Sequence, residues 1–309
     1  MIIYKTNDWL EAIYEFHTGS TARSLLRRLG IAAIYVTAII IAELNFIDVR
    51  LKDVPTGYLS TLGILLSLLL LFRTNTAYDR FYEGRRAWGT LVNTSRNIAV
   101  LLNAVLPQDA QAHRLFFAKT LSNFPFALRN HLRTDSPFTD LDDESPDDLK
   151  DLGRFDHVPM GLVSQMRDRV EQLSRAGVIS EAQSINLSGP IDLLLDVAGI
   201  CERIRSTPIP FSYSFFIKLF ITAYIMLLPF VVVDELGYLA IPAVLVTTYV
   251  MVGLEMIGEE IEDPFGTERN DLPLSQLSQL IRVNVHDAFG FHLARTEKKA
   301  ATARYVVVN

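Results

Sequence analysis

A single cysteine in 309 residues excludes both an intrachain disulfide framework and a cysteine-based zinc site. Cys201 itself reads as a small buried hydrophobe. Excess basic charge is missing as well. Lys and Arg number 29 against 35 Asp and Glu, and the resulting net charge of −6 argues against a nucleic-acid partner. The first thirty residues lack the continuous apolar core of a cleaved leader, because Asp8, Glu11, Glu15 and His17 interrupt them. Trp9, Ile13 and Phe16 are spaced instead to line one side of a short interfacial helix. Catalytic motifs are absent too: there is no G-x-x-x-x-G-K phosphate loop, no G-x-S-x-G elbow and no H-E-x-x-H. The histidines (His17, His113, His131, His157, His286 and His292) are scattered, and none follows a glutamate at the di-iron spacing. No catalytic residue, confident metal site or cofactor is assigned.

What the chain has in quantity is apolar sequence, half of its residues, unevenly spread. Charge is scarce at 29–47, 54–72 and 209–254 and dense between Arg73 and Arg205. Residues 54–72 carry no charge, and as a helix they span about 28 Å, close to a hydrocarbon core. Residues 236–254 are equally clean. Residues 209–233 hold Lys218, which would face a cavity or snorkel, and 29–47 hold Glu43 and Asn45 near an interface. The plainer account of the last two is a buried helix of a soluble core. Four spans are expected. Arg23, Arg27 and Arg28 precede the first, Arg73, Arg80, Arg85 and Arg86 follow the second, and Arg203 and Arg205 precede the third. The other loops offer only Arg50 and Lys52, or Asp234 and Glu235, so both termini belong on the cytosolic side of a cell inner (plasma) membrane.

The organisation expected is all-α: a cytosolic or interfacial helix over 1–28, spans one and two over 29–72, a cytosolic helical domain over 73–208, spans three and four over 209–254, and a cytosolic helical segment over 255–309. Within the large domain, 76–106 and 111–132 read as helices broken at Pro107 and near Asp135. Residues 135–153, rich in Asp, Pro and Ser, read as a mobile acidic loop. Helical spacing resumes over 159–176 and 180–205, the second opened by Ser180 with Gln183 at the capping-box position.

Two segments invite a chemical reading. Glu259, Glu260, Glu262 and Asp263 suit a membrane-bound metal-dependent enzyme, or more plainly a solvated helix end. The segment RTNTAYDRFYEGRRAWGTLVNTSRN over 73–97 alternates Arg, Glu, Tyr and Trp on a helix leaving the second span. Glu83 has Arg80 and Arg86 at i−3 and i+3, the spacing of a solvated, salt-bridged helix. Its aromatic residues suit a packed subunit interface better.

This segment closely resembles the signature of bacterial and plant bestrophin-like channels. CERIRSTPIPFSY over 201–213 and EEIEDPFGTERNDLPL over 259–274 match too, in the same order relative to the spans. The resemblance implies a homopentamer in a lipid bilayer, with small ions passing along its axis and the second span lining the path. A neck of three apolar residues carries over to Ile64, Leu68 and Phe72, whose i, i+4, i+8 spacing runs along one side of a helix. A second, cytosolic constriction carries over to Ile209. The signature and interface residues are Arg73, Asn75, Tyr78, Arg80, Glu83 and Trp88. Chloride-like anions are the expected cargo, with monovalent cations the alternative; a non-conducting scaffold is the further rival. The family's calcium-activated animal members have an unbroken acidic run after Pro-Phe-Gly. Here Arg269 interrupts Thr267, Glu268, Asn270 and Asp271, leaving Glu260, Asp263 and Asp271 as at most a weak metal site.

Overall fold

The computed structural model describes residues 2–3, 20–46, 56–142, 152–268, 270–291 and 306–307. The expected interfacial helix around Trp9, Ile13 and Phe16, the basic residues Arg50, Lys52 and Arg269, and residues 143–151 lie outside the described residues. Among those described, eight α-helices carry the fold: α1 (Ser20–Asn45), α2 (Thr56–Val105), α3 (Gln111–Arg133), α4 (Val158–Arg175), α5 (Glu181–Ser206), α6 (Phe211–Leu236), α7 (Ala240–Glu262) and α8 (Leu274–Ala288). The all-helical expectation meets one small addition, an antiparallel pairing of β1 (Ile2–Ile3) with β2 (Val306–Val307).

The second span and the helix after it are not separate elements. α2 runs unbroken for 50 residues, about 75 Å, because neither Gly nor Pro interrupts the passage from Phe72 to Tyr82. Other boundaries follow local chemistry. The Ser180 hydroxyl accepts from the Gln183 amide while the Gln183 side chain accepts from the Ser180 amide, a complete capping box. α3 stops at Thr134, whose φ of 55° sends the chain into the left-handed region. Gly237, at φ 52° and ψ −129°, makes the sharp turn between α6 and the 3₁₀ turn Gly237–Leu239, where a side chain would be strained.

The chain divides into two compact units. The first comprises Met1–Ile3, Tyr82–Thr207 and Pro264–Asn309; the second comprises Tyr4–Phe81 and Pro208–Asp263.

In the second unit α1 packs on α6 and α7, and α6 on α7. Its core joins Val36 and Ile40 of α1, Leu59, Leu66 and Leu70 of α2, Ile217, Ile221 and Tyr224 of α6, and Val244 and Met251 of α7. Gly63 permits the close approach of α2 to α6: a Cβ there would stand 2.7 Å from the Tyr224 hydroxyl. Among the described residues, four helical stretches are long and apolar enough to cross a membrane, namely Ala22–Asn45, Gly57–Val105, Glu181–Ser206 and Phe211–Glu262. The last holds both α6 and α7. Glu181–Ser206 is α5, which belongs to the first unit, packs on α4 and pairs its Asp192 with Arg167 at 3.3 Å.

In the first unit α3 packs between α4 and α8, and α4 on α5. Cys201 is buried there, its thiol pushed up to about 12 by burial and by Glu202 and Glu83. The first part of the expected mobile acidic loop is tied down. Asp140 pairs with Arg129 at 2.9 Å, and Asp142 pairs with Arg282 at 3.2 Å and with His286 at 3.5 Å. Burial would raise the Asp142 carboxyl, but the His286 hydrogen bond and the Arg282 charge prevail and lower it.

Candidate functional site

The half of α2 in the second unit has two unlike faces. Leu59, Leu66, Leu70, Arg73 and Ala77 are buried, at spacings of seven, four, three and four that trace one side of a helix. At about 100° per residue, Leu68 lies opposite that stripe, with Ile64 and Phe72 about 40° to either side of it. All three are exposed, at 70%, 46% and 54%, as are Leu65 and Leu71. The residues expected at the neck therefore lie on apolar helix surface that this chain leaves uncovered.

Toward its C-terminal end the buried stripe carries charge. The Arg73 guanidinium is 2% exposed and donates from Nη1 to Glu255 Oε1 at 2.9 Å; its Nη2 stands 3.9 Å from Glu262. Glu255, itself 4% exposed, also faces Lys218 at 3.5 Å and Arg28 at 3.6 Å. Lys218 reaches Glu259 at 2.9 Å. Glu262 accepts the Ile209 amide at 2.9 Å through its carboxylate and Arg80 Nε at 3.0 Å through its backbone carbonyl. A charge buried this deeply persists only with partners, and Glu255 has three cations around it. Of the carboxylates considered for a metal-dependent enzyme, Glu259 is thus engaged with Lys218, and Glu262 with Arg73 and the Ile209 amide. Lys218 also lines a cavity of about 490 Å³ with Arg28, Tyr35, Ile225, Thr248 and Glu255, in keeping with its expected cavity-facing role. Glu255 was not singled out from the sequence. Its signal was available: Glu255, Glu259 and Glu262 recur at four and three residues, one face of α7, immediately after an apolar run.

The structure divides the signature residues. Arg73 and Trp88 are inside the subunit, Trp88 at 0% exposure, so neither presents itself to a neighbour. Asn75 and Tyr78 are exposed, Arg80 is half-buried, and Tyr82 is exposed with Arg86 over its ring at 5.9 Å. Glu83 does not take Arg80 or Arg86 as its salt-bridge partner but pairs with Arg203 of α5. Ile209 also differs from the neck residues: its side chain is 9% exposed.

In the first unit the Pro-Phe-Gly turn is held by its own backbone. Leu272 N donates to Pro264 O at 3.0 Å, and Arg133 Nε donates to Phe265 O at 3.1 Å. Asp271 is 4% exposed and its Oδ2 accepts the Glu268 amide at 2.6 Å, so this carboxylate closes a turn. Of the other two residues of the weak metal site, both in the second unit, Glu260 is half-buried and Asp263 exposed. Elsewhere in the first unit, three side chains that the sequence left scattered come together. His131 Nε2 stands 3.1 Å from Glu202 Oε1, and His157 Nε2 donates to the same oxygen. Burial holds the His131 imidazole below the usual histidine range, helped by His157 and Arg205 and opposed by Glu202. Separations of 26 and 45 residues between the three gave no local spacing from which to read the group.

Residues 1–287 match the family model described as Bacterial/Fungal Bestrophin protein. A voltage-dependent anion channel-forming protein of Nostoc sp. is 36% identical over 230 residues, 73% of this chain and 75% of the relative. One from Ralstonia nicotianae is 31% identical over 298 residues, 94% of this chain and 95% of the relative. The crystal structure of a point mutant of a bacterial bestrophin homologue from Klebsiella pneumoniae matches at TM-score 0.79 and 29% identity, over 86% of this chain and 99% of that one. The Nostoc and Ralstonia proteins are named for channel formation, not for catalysis.

Proposed function

The chain belongs to the bestrophin family, and from that premise we propose that it is a subunit of a homopentameric membrane channel conducting small anions such as chloride. The observation that carries this reading is the uncovered apolar row Ile64, Leu68 and Phe72 on the side of α2 opposite its buried stripe. Five such rows around an axis make a neck of about fifteen apolar side chains, with no polar group to replace an ion's hydration shell; such a neck closes by dewetting and opens by widening. Exposed Asn75, Tyr78 and Tyr82 supply contacts between copies, while the Arg73–Glu255 pair fixes the base of the pore helix. Residues 29–72 and 209–254 lie in an inner or plasma membrane, with 73–208, 255–309 and both termini on the cytosolic side. Family resemblance places a second constriction at Ile209, at the start of the third span, but its side chain is covered within the subunit and takes no part in the proposed neck.

Native mass measurement in detergent is expected to give five copies. Liposomes carrying the protein are expected to pass chloride without added substrate, with a reversal potential in asymmetric potassium chloride that follows chloride. A conducting monomer or dimer would overturn the axial pore. A reversal potential that follows potassium would replace the anion reading by the monovalent-cation one.

A further inference from the structure

We propose that His131, His157 and Glu202 form a binding site for a divalent transition-metal ion of the zinc class. The donors come from three helices: His131 from the last turn of α3, His157 as the residue capping α4, and Glu202 from the last turns of α5. One donor atom from each lies within 4.8 Å of the others. The two imidazole rings tilt at 50° with centroids 4.5 Å apart, and His131 Nε2 to Glu202 Oε1 is 3.1 Å. Around a tetrahedral zinc with bonds of about 2.0–2.1 Å, neighbouring donors stand roughly 3.3 Å apart; His131 and Glu202 already keep that spacing, and His157, closer to the same oxygen, would draw back to reach it. The scaffold is already pinned, since Arg205 Nη1 of α5 donates to the His131 carbonyl of α3 at 2.6 Å. Two imidazoles and one carboxylate favour zinc-like ions over calcium or magnesium, which want an all-oxygen shell. Each side chain keeps about a third of its surface exposed, leaving an open side for water as the fourth ligand.

The proton positions identify what the metal displaces. His157 Nδ1 accepts the Met160 amide at 3.0 Å, so the neutral ring carries its proton on Nε2 and directs it at Glu202. A metal at Nε2 moves that proton to Nδ1 and gives up the cap to Met160. The cap to Met160 and the imidazole contacts with Glu202 are given up for three metal–ligand bonds, which favours the ion. The ion would tie together the ends of α3 and α5 and the start of α4. None of the three groups belongs to the neck or to the Arg73–Glu255 pair, so the site stands apart from the channel reading.

The test uses the full chain purified in detergent, stripped with a chelator and titrated calorimetrically with Zn²⁺ alone. One zinc per chain is expected, with Kd weakened about tenfold or more by Glu202→Gln and by His131→Ala, and unchanged by His113→Ala. On the unaltered chain, Co²⁺ is expected to give a visible absorption band that Zn²⁺ abolishes, a readout that requires no variant to fold. Absence of that band, or a Glu202→Gln chain that binds zinc as tightly as the wild type, overturns the proposal.

Discussion

The two faces of α2 within the second unit are made of much the same residues and meet opposite fates. Leu66 and Leu70 on one face are 1% and 2% exposed, enclosed by α1, α6 and α7; Leu68 and Phe72 on the other are about half exposed. Composition does not separate them, because the span is apolar all round. What separates them is partnership: one face is completed by this chain and the other is left for lipid or for further copies. The buried face also carries Arg73, which is paired with Glu255 and would be costly against lipid. The charged residue below the span thus marks which face of the helix the chain encloses, and the proposed pore face is the remainder.

The largest effect should separate the two faces directly. Replacing Ile64, Leu68 and Phe72 together by alanine widens the neck while keeping helix propensity, and flux should rise about tenfold or more with the pentamer intact. Alanine at Leu66 and Leu70 should instead leave gating alone and cost about 2–5 kcal/mol each, read as a lower unfolding midpoint in detergent. Leu65 is a poor control for this purpose, since it is 52% exposed and lies toward the neck side. If the buried pair opens the channel and the exposed triple does not, the helix faces the other way.

The next effect probes the charge that sets the rotation. Glu255→Ala leaves buried Arg73 with only the more distant Glu262 and should destabilise the chain by about 3–5 kcal/mol, seen as a lower thermal unfolding midpoint of the detergent-solubilised protein. A neutral result would detach Arg73 from the account of why α2 is oriented as it is.

Much of this architecture was legible in the sequence, and the reasons for the remainder are physical. The charge-free stretches at 54–72 and 236–254, the Ser180 capping box and the break after Arg133 are local signals, readable from a few neighbouring residues. The rotation of α2 was not, because any i, i+4, i+8 triple in so apolar a span is hydrophobic. Trp88 looked like an interface aromatic because its sequence neighbours are charged, yet it lies in the subunit's own core. The pairing of Glu83 with Arg203 spans 120 residues and overrode the nearer arginines. Glu255 and the His131, His157 and Glu202 group likewise depend on helices brought together only by the fold.

Smaller effects sharpen the same contrast. Ile209 is covered where the neck residues are bare, so Ile209→Ala should change flux by less than about twofold and act chiefly through lost packing, of the order of 2–5 kcal/mol. A flux change as large as that of the neck triple would mean that Ile209 turns into the pathway. Calcium should matter least. With Asp271 engaged by the Glu268 amide and Arg269 breaking the acidic run, chelation should alter conductance by less than about a factor of two, because too few oxygens remain for a tight site. Strong calcium dependence that disappears in Asp271→Ala would contradict this.

Cysteine accessibility tests the central claim most directly. The chain's one native thiol, Cys201, is buried and pushed up to about 12, so it stays protonated and unreactive toward a charged thiol reagent. Single cysteines at Ile64, Leu68, Leu66 and Leu70 in conducting liposomes are then modified with a membrane-impermeant methanethiosulfonate. Flux is expected to change sharply for Ile64→Cys and Leu68→Cys and to stay constant for Leu66→Cys and Leu70→Cys. The reverse pattern, or no response at any of the four, would contradict the assignment of the exposed face of α2 to the pore.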